Sequence, residues 1–272
     1  MKSLVKSWAS CQKILEGKSL ALFLDFDGTL SPIAPTPEQA AFPNENKTLL
    51  KELSQIKKYK LAVVSGRALK DLKNKVGIKG IVYIGNHGWE IEGPDIRFQS
   101  LLPQFTQQSF EHIKQELTRQ LTPIKGVLIE DKGLTVALHY RLVANKKVSK
   151  VQRIFSQICE PYRRREEIKI GTGKKVIEIQ PLASWNKGHA VSWLLKKYQG
   201  GGNQTVIPVY IGDDATDENA FAILKDKGLT VGVGQYSSQA QYYLDDTRDV
   251  TWFLEEILKL SGREKISRKI KS

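Results

Sequence analysis

The chain has 272 residues, a formal net charge of +13 and two cysteines, Cys11 and Cys159. At about 150 residues per domain this length predicts two domains, and 40% hydrophobic with 26% charged residues excludes a disordered chain. Two cysteines are too few for a disulfide framework, and no apolar run approaches the ~18 residues of a membrane span. Lysines interrupt the apolar positions of residues 1–20, so no signal peptide is predicted. We therefore expect a soluble, cytoplasmic protein.

The first part of the chain predicts alternating helices and strands. Apolar residues at helical spacing from Leu4 to Leu15 predict an opening amphipathic helix. Continuous apolar runs predict strands buried on both faces, at residues 20–24, 61–64 and 81–84. Amphipathic segments predict helices between them, at residues 46–56 and 68–76. This order predicts a parallel sheet with right-handed crossovers, with functional residues at the carboxyl ends of its strands.

After Gly88 the pattern changes. A small hairpin is predicted around the turn at residues 93–95. From Gln104 a helix, two strands, a second helix and two more strands follow, with strands at residues 126–130, 134–140, 167–170 and 176–179 and the second helix at 147–158. From Trp185 the parallel pattern resumes, with strands at 206–211 and 229–233 and helices at 216–224 and 250–260. We predict an α/β fold: a doubly wound, Rossmann-like parallel-sheet core (residues 1–103 and 181–260), an inserted α+β cap (104–180) and a basic tail (261–272).

The clearest motif follows the first buried strand, where Asp25 and Asp27 are followed by Gly28 and Thr29. Carboxylates at positions i and i+2 leave a strand end in the same direction, and their repulsion requires a cation or a shared proton. Gly28 permits a sharp turn, and Thr29 offers a hydroxyl and an N–H to an anion. A helix N-cap followed by turn residues is the alternative. The motif alone leaves both interpretations open.

A second acidic cluster, containing Asp213, Asp214 and Asp217, follows a later predicted strand. Three carboxylates within five residues repel one another unless a cation binds, and carboxylate oxygens suit Mg²⁺. Alternatively, Thr216 caps a helix whose first turn contains Asp217 and Glu218. The two interpretations are compatible.

Two further segments carry groups that bind phosphate. Ser65, Gly66 and Arg67 follow the second predicted strand, and Lys187 begins a predicted helix. A hydroxyl, N–H groups near a helix N-terminus and a lysine suit an anion. Separately, each is a common turn or a surface charge. Because all of these motifs stand at strand or helix ends, together they predict one anion site.

In this order the motifs resemble those of the haloacid-dehalogenase-like phosphatases, and more closely those of the trehalose-6-phosphate phosphatases. The closer resemblance extends from about residue 20 to about residue 258 and also rests on the motifs at residues 85–88, 130–133, 139–141 and 178. It implies a Mg²⁺-dependent enzyme of trehalose biosynthesis. Such an enzyme hydrolyses trehalose 6-phosphate to trehalose and phosphate through an aspartyl-phosphate intermediate.

The resemblance also implies a role for each motif residue. Asp25 is the expected nucleophile, and Asp27 is expected to protonate the leaving sugar oxygen and then to activate water. Lys187 and Ser65 complete the expected catalytic group. The expected phosphate-binding residues are Thr29, Gly28, Ser65, Gly66 and Lys187. Mg²⁺ is expected on Asp25, the backbone carbonyl of Asp27 and Asp213, with Asp214 and Asp217 orienting Lys187 or a metal-bound water.

The predicted cap also contains a group of acidic and basic residues. Their spacing alone is better explained by cross-strand ion pairs on an exposed sheet face. The resemblance favours sugar binding instead. The residues expected to bind the disaccharide are Glu130, Lys132, Arg141 and Glu178, with Arg67 and His87 from the core.

Most of the surplus positive charge lies in the cap and the tail. Residues 104–180 contain 15 Lys and Arg against 8 Asp and Glu, and residues 261–272 contain 5 against 1. A positively charged cap would steer a dianionic phosphate ester toward an acidic, metal-binding floor. The surplus therefore need not indicate nucleic-acid binding.

Other functions remain as alternatives. A related phosphatase acting on sucrose 6-phosphate or another phosphorylated glycoside would carry the same core motifs. A nucleic-acid-binding protein would show a basic stripe with interleaved aromatic residues, whereas the three arginines at 163–165 precede two glutamates. An inactive sugar-phosphate sensor would not need an intact nucleophile. We expect a monomer that acts on a small sugar phosphate and binds neither nucleic acid nor membrane.

Overall fold

The computed structural model describes residues 1–99, 104–173, 175–182, 185–200, 205–234 and 238–262. Most of the predicted basic tail and of the glycine-rich loop at residues 200–203 lies outside these residues. Contacts divide the chain into two compact units. The first contains residues 1–99 and the chain from Trp185 onward, and the second contains residues 100–184.

The described residues form thirteen strands, eight α-helices and one 3₁₀ turn at Asn86–Gly88. In chain order the strands are β1 (Lys2–Ser3), β2 (Ser19–Asp25), β3 (Tyr59–Val64), β4 (Val82–Gly85), β5 (Glu90–Gly93), β6 (Ile96–Gln99), β7 (Leu128–Asp131), β8 (Val136–His139), β9 (Ile168–Gly173), β10 (Val176–Pro181), β11 (Val206–Gly212), β12 (Leu229–Val233) and β13 (Tyr242–Leu244). The helices are α1 (Leu4–Leu15), α2 (Asn44–Ser54), α3 (Leu69–Val76), α4 (Gln104–Leu121), α5 (Asn145–Arg164), α6 (Lys187–Gln199), α7 (Glu218–Leu224) and α8 (Thr247–Leu260). None of the helices in the described part of the chain has the length and apolar character needed to span a bilayer.

The first unit is built on a nine-stranded sheet in the order β1-β13-β12-β11-β2-β3-β4-β5-β6. Neighbouring strands are parallel from β1 to β4, and the hairpin β5–β6 adds two antiparallel strands at one edge. The register pairs Asp25 with Val64 and Leu24 with Ile211. Because β2, β3 and β11 end together, the residues that follow these strands meet at one edge of the sheet.

Both faces of this sheet are covered, which is why its central strands are continuously apolar. Leu22 of β2 packs in a cluster with residues of α1, α2, α3 and α8, whereas the adjacent Phe23 packs in a second cluster with residues of α6 and α7. The predicted α/β fold with a doubly wound core and a separate α+β cap is confirmed.

The second unit is a four-stranded antiparallel sheet, β7-β8-β10-β9, packed on α4 and α5. The buried face includes Leu138 and Ile177, while Glu130 and Glu178 stand in register on the other face. Helix α5 continues well beyond the predicted residue 158 and includes Pro161. Its last turns bury Cys159 and are joined by ion pairs from Glu160, so packing and charge extend the helix past the proline.

Other differences from the predicted elements are local. Strands β1 and β13 are only two and three residues long, and they exist through parallel pairing of Lys2 with Tyr242. Helix α7 begins at Glu218 instead of residue 216, because the preceding residues form a turn. In that turn the Asp214 N–H donates to the Asp217 carboxylate.

Asn46 ties the segment after β2 to the last helix, and its loss should destabilise the first unit. Its buried amide donates to the Leu30 carbonyl at 2.9 Å and accepts from the Thr251 hydroxyl at 2.8 Å. We expect Asn46→Ala to lower the free energy of unfolding by about 1–3 kcal/mol, since the buried Leu30 carbonyl loses this donor, whereas the Thr251 hydroxyl keeps the Thr247 carbonyl as a second acceptor.

Urea denaturation measures this change, and Thr48→Ala, at an exposed position of the same helix, is the control. Alanine has the higher helix propensity at both positions, so an Asn46→Ala variant no less stable than Thr48→Ala would show that the Asn46 hydrogen bonds do not stabilise the fold.

Candidate active site

Lys187, the first residue of α6, lies at the centre of a buried polar cluster in the first unit. Its ammonium donates to Oδ1 of Asp25 and to Oδ1 of Asp217, each at 2.7 Å, and its side chain is 3% exposed. The Asn186 side chain caps α6 by accepting from a backbone N–H of its first turn. At Gly188 a Cβ would lie 2.3 Å from the Asn219 carbonyl oxygen, so glycine lets α6 approach this segment closely. The helix start therefore directs Lys187 toward the end of β2.

Asp217 is the best-connected carboxylate of the cluster. Besides Lys187, it accepts from the Tyr210 hydroxyl at 2.7 Å and from the Asp214 N–H at 2.9 Å. Because both of its oxygens accept hydrogen bonds, the carboxylate is held in one orientation and in turn orients Lys187. A Cβ at Gly212 would lie 2.3 Å from its Cγ, so only glycine fits there.

Tyr210 is a site residue that the sequence motifs do not reveal. It lies within β11, is fully buried, and donates its hydroxyl to a buried carboxylate. In the sequence it is one more large residue in an apolar strand. Burial raises the pKa of its phenol well above the ordinary value, and the Asp217 charge adds to this effect. Tyr210 therefore remains a neutral donor.

The charges of this cluster fit a divalent cation. Asp25, Asp213 and Asp217 each offer an oxygen atom, and these atoms lie within 4.8 Å of one another. Three carboxylates against the single Lys187 ammonium leave two negative charges uncompensated, and oxygen ligands suit a hard cation. Burial raises the pKa of Asp25 well above its ordinary value; Asp217 and Asp213 add to this, and Lys187 opposes it. A bound divalent cation would favour the ionised carboxylate.

Lys187 itself stays protonated. Burial lowers its pKa, but the adjacent Asp217 and Asp25 outweigh burial and raise the pKa well above the ordinary value. The cluster therefore holds a permanent positive charge beside Asp25.

Gly28 and Thr29 lie in the loop after β2, and Gly28 stands against Asp213, the residue that follows β11. Gly28 has φ +88°, and a Cβ there would lie 2.1 Å from Oδ2 of Asp213, so glycine is required for this approach. The Gly28 N–H donates to the Ser31 carbonyl at 2.7 Å and is not available to the phosphate that the sequence pattern assigns to it. Thr29 is buried, and its hydroxyl has no hydrogen-bond partner among the described residues. That hydroxyl is available to an anion.

Ser65 and His87 lie at the ends of β3 and β4. Ser65 follows the register partner of Asp25, and its Oγ accepts from the Arg67 N–H at 3.1 Å. The His87 ring stands so close to Gly66 that a Cβ there would lie 2.5 Å from its Cε1. His87 also has a positive φ of 56°, a strained conformation that is frequent at functional sites. Ser65 thus lies beside the end of β2, and His87 contacts the segment that follows β3.

Arg67, which the family resemblance assigns to the substrate, contacts Asp27 in the structure. Its Nε and NH2 donate to the two oxygens of Asp27, at 2.6 and 2.7 Å. Its side chain is 7% exposed. Arg67 is thus a partner of Asp27, and its role in substrate binding stays a prediction.

In the second unit, Glu178 collects hydrogen bonds on the polar face of the sheet. It accepts from Lys132 Nζ at 2.7 Å, Thr135 Oγ1 at 3.1 Å and Gln180 Nε2 at 3.1 Å. Glu130 pairs with His139 Nε2 at 2.8 Å. The cross-strand ion pair that spacing alone suggests is therefore present between Lys132 and Glu178.

The remaining cap residue of the predicted set, Arg141, follows β8 and is exposed. In register beside Glu178 stand two small residues, Ala137 and Gly171, and the Glu178 side chain is 12% exposed. The polar face of the sheet presents both donors and acceptors, the combination that sugar hydroxyls require. Sugar binding by these residues stays a prediction.

Comparison with known proteins identifies the family. A family model described as trehalose-phosphatase matches residues 23–248. The chain belongs to the trehalose-phosphatase family. It is accordingly a phosphoric monoester hydrolase, and the resemblance seen in its motifs is confirmed. The trehalose-phosphate phosphatase B of Arabidopsis thaliana is 32% identical to it over 262 residues, which cover 90% of this chain and 67% of that protein.

Solved structures share the fold of this family member. The C-terminal domain of a trehalose-6-phosphate phosphatase from C. albicans superposes with a TM-score of 0.78 at 23% identity, covering 95% of this chain and 99% of that one. A haloacid dehalogenase-like hydrolase from Bacteroides thetaiotaomicron gives a TM-score of 0.62 at 17% identity, covering 88% and 100%. The fold is therefore that of the haloacid-dehalogenase-like hydrolases.

The contact between Tyr210 and Asp217 gives a prediction about stability. We expect Tyr210→Phe to lower the free energy of unfolding by about 1.5–3 kcal/mol, the range for a hydrogen bond to a charged group. Urea denaturation without added metal measures it. Tyr198→Phe is the control, because the Tyr198 side chain is largely buried but its hydroxyl has no hydrogen bond among the described residues. If both variants lose the same stability, the Asp217 contact contributes nothing specific.

Proposed function

We propose that this chain hydrolyses trehalose 6-phosphate to trehalose and inorganic phosphate, with Mg²⁺ as cofactor and an aspartyl-phosphate on Asp25 as intermediate. The observation that carries the proposal is the buried cluster in which Lys187 joins Asp25 to Asp217, with Asp213 alongside. Membership of the trehalose-phosphatase family and the names of its relatives support the choice of substrate.

In the first step an oxygen of Asp25 forms a bond to phosphorus while the bond from phosphorus to the sugar oxygen breaks. Phosphoryl transfer depends mainly on positioning and on neutralising charge at the phosphoryl oxygens. Lys187 stays charged and lies 2.7 Å from Asp25, so it can offset that charge where it develops. The hydroxyls of Thr29 and Ser65 donate to the phosphoryl oxygens.

The residues that would hold Mg²⁺ are the carboxylates of Asp25 and Asp213 and the backbone carbonyl of Asp27. When bound, the ion neutralises phosphoryl charge and aligns the phosphate with Asp25. Asp217 is better suited to orienting Lys187, because its oxygens already accept from three donors of the protein: an ammonium, a hydroxyl and a backbone N–H.

Asp27 carries the proton in both steps. Its carboxyl group protonates the departing sugar oxygen and then accepts a proton from the water that attacks the aspartyl-phosphate. That attack restores the Asp25 carboxylate and releases inorganic phosphate. One side chain can perform both transfers because the sugar oxygen and the incoming water occupy the same side of phosphorus in turn.

Metal binding can be tested without measuring activity. Saturating Mg²⁺ at 100 times its Kd should raise the free energy of unfolding by about 2.7 kcal/mol, and Asp213→Asn should lose most of this gain. Without Mg²⁺ the variant should be no less stable than the wild type, because Asp213 repels Asp25. Thermal denaturation with Mg²⁺ or with chelator measures both effects.

The matched control for this experiment is Asp226→Asn, an exposed position outside the acidic motifs that should keep the Mg²⁺ effect. A wild type that Mg²⁺ does not stabilise would refute the proposed metal site. Equal losses in the two variants would refute the assignment to Asp213.

Substrate choice is tested by phosphate release from trehalose 6-phosphate, sucrose 6-phosphate, glucose 6-phosphate and p-nitrophenyl phosphate. We expect the highest kcat/KM for trehalose 6-phosphate. In Glu178→Gln the ratio of kcat/KM for trehalose 6-phosphate to that for p-nitrophenyl phosphate should fall at least about tenfold, since a charged hydrogen bond contributes about 1.5–3 kcal/mol. Glu111→Gln, at an exposed cap position, should leave the ratio unchanged.

A higher kcat/KM for sucrose 6-phosphate than for trehalose 6-phosphate would show that the related glycoside is the substrate instead. An unchanged ratio in Glu178→Gln would show that Glu178 belongs only to the sheet's ion pairs.

A further inference from the structure

Asp71, in the first turn of α3, contacts the one Arg67 nitrogen that Asp27 leaves unused. Its Oδ2 accepts from Arg67 NH1 at 2.7 Å, while Nε and NH2 both donate to Asp27. Asp71 belongs to none of the motifs in the sequence, and its side chain is 42% exposed. The Arg67 guanidinium thus links the carboxylate of Asp71 to the carboxylate of Asp27.

The other contacts of Arg67 hold its backbone and one face of its side chain. Its N–H donates to Ser65 Oγ at 3.1 Å, and its carbonyl accepts from the Asn86 N–H at 2.7 Å. The guanidinium carbon lies 5.4 Å from the centroid of the Phe26 ring. None of these contacts involves NH1 of Arg67, so the position of NH1 is set by Asp71.

A two-point pair between a guanidinium and a carboxylate keeps the two groups close to one plane. Whatever sets the plane of Arg67 therefore also sets the plane of the Asp27 carboxylate. Asp71 does so by binding NH1, at the opposite edge of the guanidinium. Without Asp71, the Arg67 guanidinium can tilt against the Phe26 ring, and the Asp27 carboxylate that is bonded to it tilts as well.

We propose that Asp71 is a positioning residue that acts through Arg67 to orient the Asp27 carboxyl group toward the leaving-group oxygen. The inference rests on the proposed function, in which Asp27 protonates that oxygen. Its effect depends on the leaving group, because a sugar alkoxide needs the proton whereas p-nitrophenolate departs without it. A merely structural residue would affect both esters alike.

The test compares kcat/KM for trehalose 6-phosphate and p-nitrophenyl phosphate, since this constant covers the steps through the first phosphoryl transfer. In Asp71→Ala the ratio of sugar ester to p-nitrophenyl ester should fall about tenfold, a part of the 10²–10⁴ that general acid catalysis contributes. Asp71→Glu, which restores a carboxylate, should recover much of the loss. Lys70→Ala, at the exposed neighbouring position, should keep the wild-type ratio.

An unchanged ratio in Asp71→Ala, or equal losses for both esters, would overturn the inference. Thermal denaturation of each variant shows whether it is folded. If the wild type does not hydrolyse trehalose 6-phosphate, the proposed substrate is wrong. The ratio is then measured with glucose 6-phosphate, which also has an alkyl leaving group, and the inference is tested independently.

Discussion

The buried ammonium of Lys187 is the interaction on which the rest of the site depends. It joins the end of β2, through Asp25, to the turn after β11, through Asp217. Removing one partner of such a buried pair typically costs about 3–5 kcal/mol, because the remaining charge stays in a poorly solvated place. Stability and chemistry therefore require the same contact, and the Tyr210 hydroxyl supports both by holding Asp217.

The parallel sheet brings the remaining groups to this ammonium. Asp25, Ser65 and Asp213 are far apart in the chain, yet β2, β3 and β11 are adjacent and end at the same level. Two glycines then permit contacts closer than any side chain would allow: Gly28 admits Asp213, and Gly212 admits Asp217. The site is thus a property of strand register and of two missing side chains as much as of its charged residues.

The charges around Asp25 and Asp27 explain why these two carboxyl groups have different surroundings although they are only two residues apart. Asp25 is buried among carboxylates with a lysine, a setting that fits a divalent cation. Asp27 is partly exposed and faces Arg67, whose charge is shared with Asp71. Burial lowers the pKa of Arg67, but its bonds to the two carboxylates outweigh burial and raise it, so Arg67 remains protonated. Two carboxyl groups two residues apart are therefore suited to different tasks.

Much of this could be predicted from the sequence, because each signal was local. A continuous apolar run followed by Asp25, Asp27 and Gly28 specifies a buried strand and a sharp turn within ten residues. The helices and strands that bury a full face were predictable for the same reason. Strands β1 and β13 were not, since segments of two or three residues carry no periodicity and form only through pairing.

The order of strands and helices, the acidic motifs at strand ends and the family to which the chain belongs all follow from local composition and spacing, so they could be read from the amino acids. Tertiary packing selected the partners of the polar side chains. It directed Arg67 to Asp27 and placed the Tyr210 hydroxyl on Asp217, and it paired Lys132 with Glu178. A charged or polar side chain shows in the sequence that it needs a partner, but packing alone selects which of several partners it reaches.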